Sequence, residues 1–239
     1  MKLSEKIAKW IKNRVEEAKA EGVVVGLSGG VDSSVVAILA KKAMGDNVLG
    51  VLMPCHSAHI DERYAYLVAN KLNIKTEKVD LGSVYDDFLR ILPSGKEIAL
   101  ANLKPRLRMI TLYYFANNLN YLVAGTGNRS EITVGYFTKY GDGGVDILPI
   151  GGLLKTQVRR LARELGVPEE IIKRVPSAGL WKGQTDEREL GLRYEDLDKT
   201  ILAIESGKVK DLPAEIVDKV KKLIERSIHK RSPVPIFKP

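Results

Sequence analysis

Val23-Val24-Val25-Gly26-Leu27-Ser28-Gly29-Gly30-Val31-Asp32-Ser33-Ser34 is the stretch that decides the fold, and Val35-Val36-Ala37-Ile38-Leu39-Ala40 follows it directly. A β-branched run, a Ser/Gly turn and a second apolar run read as strand, loop and helix. That layout aims backbone N–H groups and a helix N-terminus at one spot, where a phosphate is held. No Lys follows the glycines, so this is not a Walker A loop and phosphate charge must be neutralised from elsewhere. The spacing also fails the GxGxxG dinucleotide turn, and Asp32 stands at the mouth. A plain Ser/Gly turn is the alternative, and nine consecutive suitable residues, 26–34, weigh against it. The expectation is a phosphate-binding loop that also handles a metal.

Working outward, Leu3, Ile7, Trp10, Ile11 and Val15 recur at helical spacing over 3–20, and Gly22 ends that helix. The helix opened by the loop runs to about Met44, with Gly45-Asp46 behind it. Strands are expected at 23–27, 48–53, 74–79 and 121–124, and helices at 60–72, 83–92 and 97–119. Pro105 forces a break or restart in the last of these helices. This alternation implies an α/β fold of parallel βαβ units with right-handed crossovers. Residues 125–152 are rich in glycine and long for a structureless connection, while Tyr136, Phe137 and Tyr140 argue against disorder. Helices are expected again at 155–165, 169–174, about 194–205 and 213–227, around a second polar loop at 176–192. The tail, 229–235, is basic and stiffened by proline. No repeat, low-complexity tract or linker stands out, so one domain is expected over 1–239.

A chain of 239 residues with 44% hydrophobic residues suffices for a sizeable core. No run approaches the roughly 18 apolar residues of a membrane span, and Met1-Lys2 leads straight into the amphipathic pattern. A soluble, cytoplasmic protein without a secretory signal is expected. The single cysteine, Cys55, excludes an internal disulfide. The formal charge of +8 favours acidic partners such as nucleotides, RNA or an anionic surface, and a solvated basic exterior explains it equally well.

Ligands of open α/β sheets bind outside the carboxyl ends of the strands. The loop 26–34, the end of the second strand at Met53-Pro54 and the loop after Ala124 therefore carry the candidate chemistry. Asp32 and phosphate repel, unless Mg²⁺ lies between them, since that ion takes one or two carboxylates with phosphate oxygens and water. Glu131 can be the second carboxylate, or a solvated loop acid. Lys139, Lys155, Lys182, Arg106 and Arg108 are cations able to offset polyphosphate charge, though each alone is an ordinary surface residue type. Lys155 opens a helix, where the dipole disfavours a cation, and a nearby anionic ligand would explain it. Cys55-His56-Ser57-Ala58-His59 lacks structural-zinc spacing and reads better as a polar loop lining a nucleotide site. Ser28 and Ser33 lack the context of a nucleophile elbow.

Ser28-Gly29-Gly30-Val31-Asp32-Ser33 resembles the SGGxDS pyrophosphate loop of the N-type ATP pyrophosphatases. That resemblance implies an adenine nucleotide alpha hydrolase-like, Rossmann-like open sheet, mainly parallel, with helices on both faces. It also implies cleavage of ATP to AMP and pyrophosphate with adenylation of an acceptor oxygen. Within the superfamily, Gly135-Tyr136-Phe137-Thr138-Lys139-Tyr140-Gly141-Asp142-Gly143-Gly144, Asp146 and Leu148-Pro149 are similar to the signature of NAD synthetases. So are Asn102-Leu103-Lys104-Pro105-Arg106-Leu107-Arg108, Pro176-Ser177-Ala178-Gly179-Leu180, Gly183-Gln184-Thr185-Asp186-Glu187 and His229-Lys230-Arg231. With only 22 residues before the first strand, the resemblance is to the stand-alone, ammonia-dependent enzyme.

Carried over residue by residue, the resemblance gives ATP contacts to Gly26, Leu27, Ser28, Gly29, Gly30, Val31, Asp32, Ser33, Thr126, Lys155 and Ser177. Asp32 and Glu131 become Mg²⁺ ligands, and Arg106, Lys139, Asp146, His229 and Lys230 hold deamido-NAD⁺. Asp142, Lys155 and Asp32 are the catalytic candidates, with Asp142 or its neighbour Asp146 accepting the proton of ammonium. Ser177 stands where many members have Thr and keeps the hydroxyl; Gly127-Asn128 replaces an Asp-His pair of some members. The family implies a homodimer, with no nucleic-acid or membrane partner. A tRNA-modifying adenylating enzyme and an ATP-binding module without turnover are the alternatives. The first usually needs a Cys pair or RNA-binding extension, and the chain has one Cys.

Overall fold

Val23, Val24 and Val25 have no exposed surface, as β-branched side chains on a doubly covered strand require. They form the centre of β1 (Gly22–Gly26) in the computed structural model, which describes residues 1–181 and 183–238. Lys182, named above as a candidate cation, lies outside the described residues. β1 pairs in parallel with β2 (Val48–Leu52) and β4 (Tyr121–Ala124), and β2 pairs with β3 (Lys75–Lys78), so the order is β3-β2-β1-β4. The register places Val24 between Leu49 and Val123. The sheet is open and all-parallel, as expected. The edge strand β3 reads Lys-Thr-Glu-Lys, and charge on an edge discourages pairing with other chains.

Alternation along β1 divides the core. Val23 and Val25 face α1 (Leu3–Glu17), α2 (Val31–Met44), α3 (His59–Lys71) and α8 (Lys155–Glu164), through Ile11, Val35, Ala69 and Leu161. Val24 faces α6 (Leu103–Leu119), through Leu107 and Ala116, with Leu49, Val51 and Leu81 alongside. α4 (Gly82–Ile91) and α5 (Glu97–Ala101) precede α6 on that side. The chain winds outward from β1 to β3, then returns through these helices to β4 on the other side of β1. The reversal opens a crevice between the carboxyl ends of β1 and β4, where such sheets bind ligands.

Local rules explain most departures from expectation. The break near Pro105 falls at Asn102, and Pro105 occupies the first turn of α6, where its missing N–H is no loss. The loop 125–152 contains α7 (Arg129–Val134), and the loop 176–192 contains α10 (Asp186–Leu190). α9 (Glu169–Ile172), α11 (Tyr194–Ser206) and α12 (Ala214–Arg226) arise where expected, and the basic tail adds one turn, α13 (Ile228–Arg231). Val134, Leu154, Leu190, Tyr194, Leu197 and Val220 form a third apolar cluster, which carries α7 against α11 and α12. No described helix is long and apolar enough to cross a membrane.

Asp146 closes the free edge of β4. One of its oxygens accepts from the Val123 N–H at 2.8 Å, the other from the Tyr113 hydroxyl at 2.9 Å. This holds Ile147 in a parallel bridge to Ala124. Asp146→Ala leaves the N–H of the fully buried Val123 unpaired and should cost about 1–3 kcal/mol in urea unfolding. Unchanged stability would show that the segment is held otherwise.

Candidate active site

A cleft of about 1110 Å³ opens at the crevice. The loop after β1 forms its floor, with Ser28, Gly30, Val31, Asp32 and Ser33 on the surface of the cavity. The loop is braced from within. The Ser28 and Ser33 hydroxyls lie 3.0 Å apart, and the Ser33 and Ser34 hydroxyls donate to the Gly30 carbonyl at 3.0 and 2.8 Å. Gly29 has φ of 74°, and a Cβ there would sit 2.3 Å from the Asp61 carbonyl oxygen. Only glycine provides that turn and that approach. α2 starts at Val31 and its first residues, Val31, Asp32 and Ser33, line the cavity, so the helix end that favours phosphate lies there.

At the mouth, three distant parts of the chain meet on one ammonium. Lys155 Nζ donates to Asp32 Oδ2 and, at 3.2 Å, to Glu131 Oε1, and the Lys155 side chain is only 3% exposed. Burial works to strip the Lys155 proton, but Asp32 and Glu131 outweigh it and raise the pKa. Glu131 is pushed up to about 7, chiefly by burial, with Lys155 opposing and Asp32 adding to the rise. Asn128 caps α7: its side chain accepts from the Glu131 N–H at 3.1 Å, and Glu131 Oε2 accepts from the Asn128 N–H at 3.2 Å. Asn128 Nδ2 also donates to Asp32 Oδ1 at 3.2 Å, so one residue sets both carboxylates.

The position of Lys155 at a helix start has an internal explanation. The buried Asp198 carboxylate, from α11, accepts from the Thr156 N–H at 2.9 Å and from the Ser130 hydroxyl, whose oxygen accepts from the Lys155 N–H at 2.9 Å. The amides at the start of α8 are thus paired by a hydroxyl and an acid of this protein, and the ammonium by two further acids. Tyr194 lies beneath, its ring centre 5.0 Å from Lys155 Nζ and its hydroxyl 2.9 Å from Asp186 and 3.3 Å from Glu131. Burial raises the Asp186 carboxyl above its ordinary range.

The other expected residues divide into two groups. Thr126, Ser177, Asp142 and Lys230 line the cleft with Asp32, Glu131 and Lys155. Asp142 remains open to solvent, accepts from the Thr138 N–H at 2.8 Å, and has its pKa raised by the surrounding cleft walls. Lys230 donates at 2.7 Å to the Gly135 and Phe137 carbonyls. Arg106, Lys139 and His229 cluster beside the cleft instead. Arg106 donates to the Lys139 carbonyl at 3.3 Å, and Lys139 to the His229 carbonyl at 2.7 Å. Of Arg106 and Arg108, it is Arg108, paired with the Met53 carbonyl at 3.1 Å, that lies on the cavity surface. Asp146 is the edge clasp of β4. His56, Ser57 and His59 line the cleft as a polar loop, while Cys55 is buried beside it. Among residues given no role from the sequence, Asn128 was findable from its Asn-x-x-Glu spacing; Asp186, quoted above only within a family-like stretch, and Tyr194 and Asp198 meet the site only through the tertiary fold.

A phosphate cradle at a sheet switch point, with two carboxylates and a buried lysine at its mouth, defines an α/β enzyme that works on nucleotide phosphates. Residues 3–234 match the NAD synthase family. The chain is 53% identical over 233 residues to the NH(3)-dependent NAD(+) synthetase of Carboxydothermus hydrogenoformans, covering 95% of this chain and 93% of that protein. Among solved structures, the NMN synthetase of Francisella tularensis superposes with a TM-score of 0.91 at 37% identity, covering 98% and 96% of the two chains. The NH3-dependent NAD synthetase of Campylobacter jejuni gives 0.87 at 30%, covering 99% and 97%. The chain belongs to the NAD synthase family.

The raised Glu131 pKa gives a signed expectation for the metal-free protein. A carboxyl raised from 4.5 to about 7 holds its proton in the folded state, so its contribution is fully present below pH 4.5 and lost through pH 7. Glu131→Gln, a permanent mimic of the neutral acid, should therefore gain stability relative to the parent as pH rises from 4 to 8, by about 1–2 kcal/mol. A pH-independent difference in urea unfolding would contradict this.

Proposed function

We propose that this protein amidates deamido-NAD⁺ with ammonia, converting ATP to AMP and pyrophosphate and completing NAD biosynthesis. It is a ligase that forms a C–N bond. The observation that carries this reading is the junction of Asp32, Lys155 and Glu131 at the mouth of a phosphate cradle. The cavity, about 1110 Å³, is large enough for two ligands.

A nicotinate carboxylate cannot be amidated directly, because oxide is not a leaving group. Its attack on the α-phosphorus of ATP turns that oxygen into part of AMP. Both reactants are anionic, so positioning and charge neutralisation dominate the barrier. The 26–33 loop holds the phosphates by its amides, and Lys155, its side chain only 3% exposed, supplies a fixed positive charge. Asp32 and Glu131 offer two carboxylates, a set suited to Mg²⁺ when phosphate and water complete its shell; no cluster of three or more metal-ligating side chains occurs among the described residues. Asp32 and Glu131 would hold the ion, which when bound neutralises further phosphate charge. Thr126 and Ser177 contact ATP from the facing walls. Arg106, Lys139, His229 and Lys230 serve the dinucleotide side, and Asp146, held by Val123 and Tyr113, shapes the segment behind it.

Ammonia is almost wholly ammonium at neutral pH and must lose a proton before attacking the acyl-adenylate. Asp142 fits that role, since it faces the cleft and its raised pKa makes it a better proton acceptor than an ordinary aspartate. Asp146, with both oxygens engaged, is less suited. Asp142→Asn should lower NAD⁺ formation about 100-fold while slowing pyrophosphate release less. Equal loss of both steps would remove Asp142 from ammonia activation.

The likeness to an NMN synthetase favours one second reading, the same chemistry on nicotinate mononucleotide. Chromatography with ATP, Mg²⁺, ammonium and each acid in turn decides between them, and product from neither would end the assignment. The protein works as one domain, in the cytoplasm, and as a homodimer. α4 and α6 leave Val84, Phe88, Ile91, Ile110 and Tyr114 exposed, a face suited to a second copy. A sedimentation mass of one chain, 26.5 kDa, would contradict the dimer.

A further inference from the structure

Lys104 is 6% exposed, yet its hydrogen-bond partner is a carbonyl and not a carboxylate: Nζ donates to Leu180 O at 2.9 Å, from α6 to the segment 176–181. The Tyr85 ring lies 5.1 Å away. Taking an ammonium out of water for one carbonyl and one ring is costly, and burial lowers its pKa accordingly. An apolar side chain would pack the position more cheaply. The bond therefore calls for a reason other than stability.

Leu180 is gripped from both sides. Its N–H donates to Gln184 Oε1 at 2.7 Å, and Gln184 Nε2 donates to Glu189 at 2.6 Å. Glu189 accepts from the Tyr136 hydroxyl, which also reaches Asp186 at 3.2 Å; Asp186 accepts from Tyr194, which touches Glu131. The strap 176–181 is thus tied to the ATP side by this chain of bonds and to α6 by Lys104 alone among the described residues' hydrogen bonds. The same first turn of α6 holds the ammonia side, because the Thr138 hydroxyl donates to Asn102 Oδ1 at 2.8 Å and the Thr138 N–H donates to Asp142. Two segments that line the cleft, 176–181 and the turn at Thr138, are thus fastened at 102–104.

We propose that Lys104 is a positioning residue that latches the 176–181 strap across the cleft, so that the acyl-adenylate meets ammonia and not water. The inference rests on the proposed amidation. Without the latch, water attacks the acyl carbon, the bond from that carbon to the AMP oxygen breaks, and AMP leaves. The nicotinate carboxylate reforms with the water's oxygen, and its protons pass to solvent and AMP. ATP is then spent without product, the side reaction that closed sites prevent.

The test is the ratio of AMP to NAD⁺ formed by the full-length protein at limiting ammonium, with folding checked by circular dichroism and melting. The parent should give a ratio near one. Lys104→Met, which keeps the apolar stem, should raise the ratio about threefold or more, and Lys104→Arg, which keeps a donor, should restore it. Gln184→Met, which frees Leu180 from the other side, should also raise it and decides the matter if Lys104→Met does not fold. A purely structural role would lower both products together at a ratio near one, and that result in folded variants overturns the latch. Absence of NAD⁺ from the parent would overturn the amidation instead.

Discussion

One buried ammonium sets the arrangement of everything around it. Lys155 Nζ is shared by Asp32 from the first turn of α2, after β1, and Glu131 from the first turn of α7, after β4, so the two sides of the switch point are pulled onto a single charge. A buried lysine is tolerable only with such partners, and the partners tolerable only with it. The rest of the local structure serves this junction: Asn128 aims both carboxylates, Asp198 holds the start of α8, and Tyr194 supports Lys155 from below. Charge repulsion between Asp32 and Glu131 makes the site receptive to cations and to the phosphates they accompany.

The junction also explains how a phosphate loop without its own lysine works. In a Walker A loop the cation is local; here it arrives from residue 155, more than a hundred residues downstream, and it already neutralises two acids. The cradle therefore needs β1, β4 and α8 in register before it can function. That requirement binds the central sheet to the third apolar cluster, whose Tyr194 is both a core residue and a support beneath Lys155. Fold stability and site geometry are carried by the same contacts.

Where the signal was local, the residues declared their structure. The Val23-Val24-Val25 run, the Ser/Gly turn and the helix at 31–44 follow from adjacent side chains, and the parallel sheet from the alternation that continues to Ala124. The cradle and Asp32 were legible for the same reason. Lys155 was flagged by its awkward place on a helix, and the acids that surround it there, Asp198, Asp32 and Glu131, come from distant segments that spacing does not reveal. α7 and α10 were hidden because each is a single short stretch whose buried apolar residue, Val134 or Leu190, packs against helices farther along the chain. The partition of Arg106 and Arg108 between the outside and the inside of the cleft was equally hidden, since it depends on the rotation of α6 and not on their spacing.

The central claim is that the Lys155 junction directs attack of a nicotinate oxygen on the α-phosphorus of ATP. Deamido-NAD⁺ carrying ¹⁸O in its carboxylate tests this directly by mass spectrometry of the products. One labelled oxygen should appear in AMP for each NAD⁺ made, with none in pyrophosphate. Label in pyrophosphate, or unlabelled AMP alongside newly formed NAD⁺, would contradict the account.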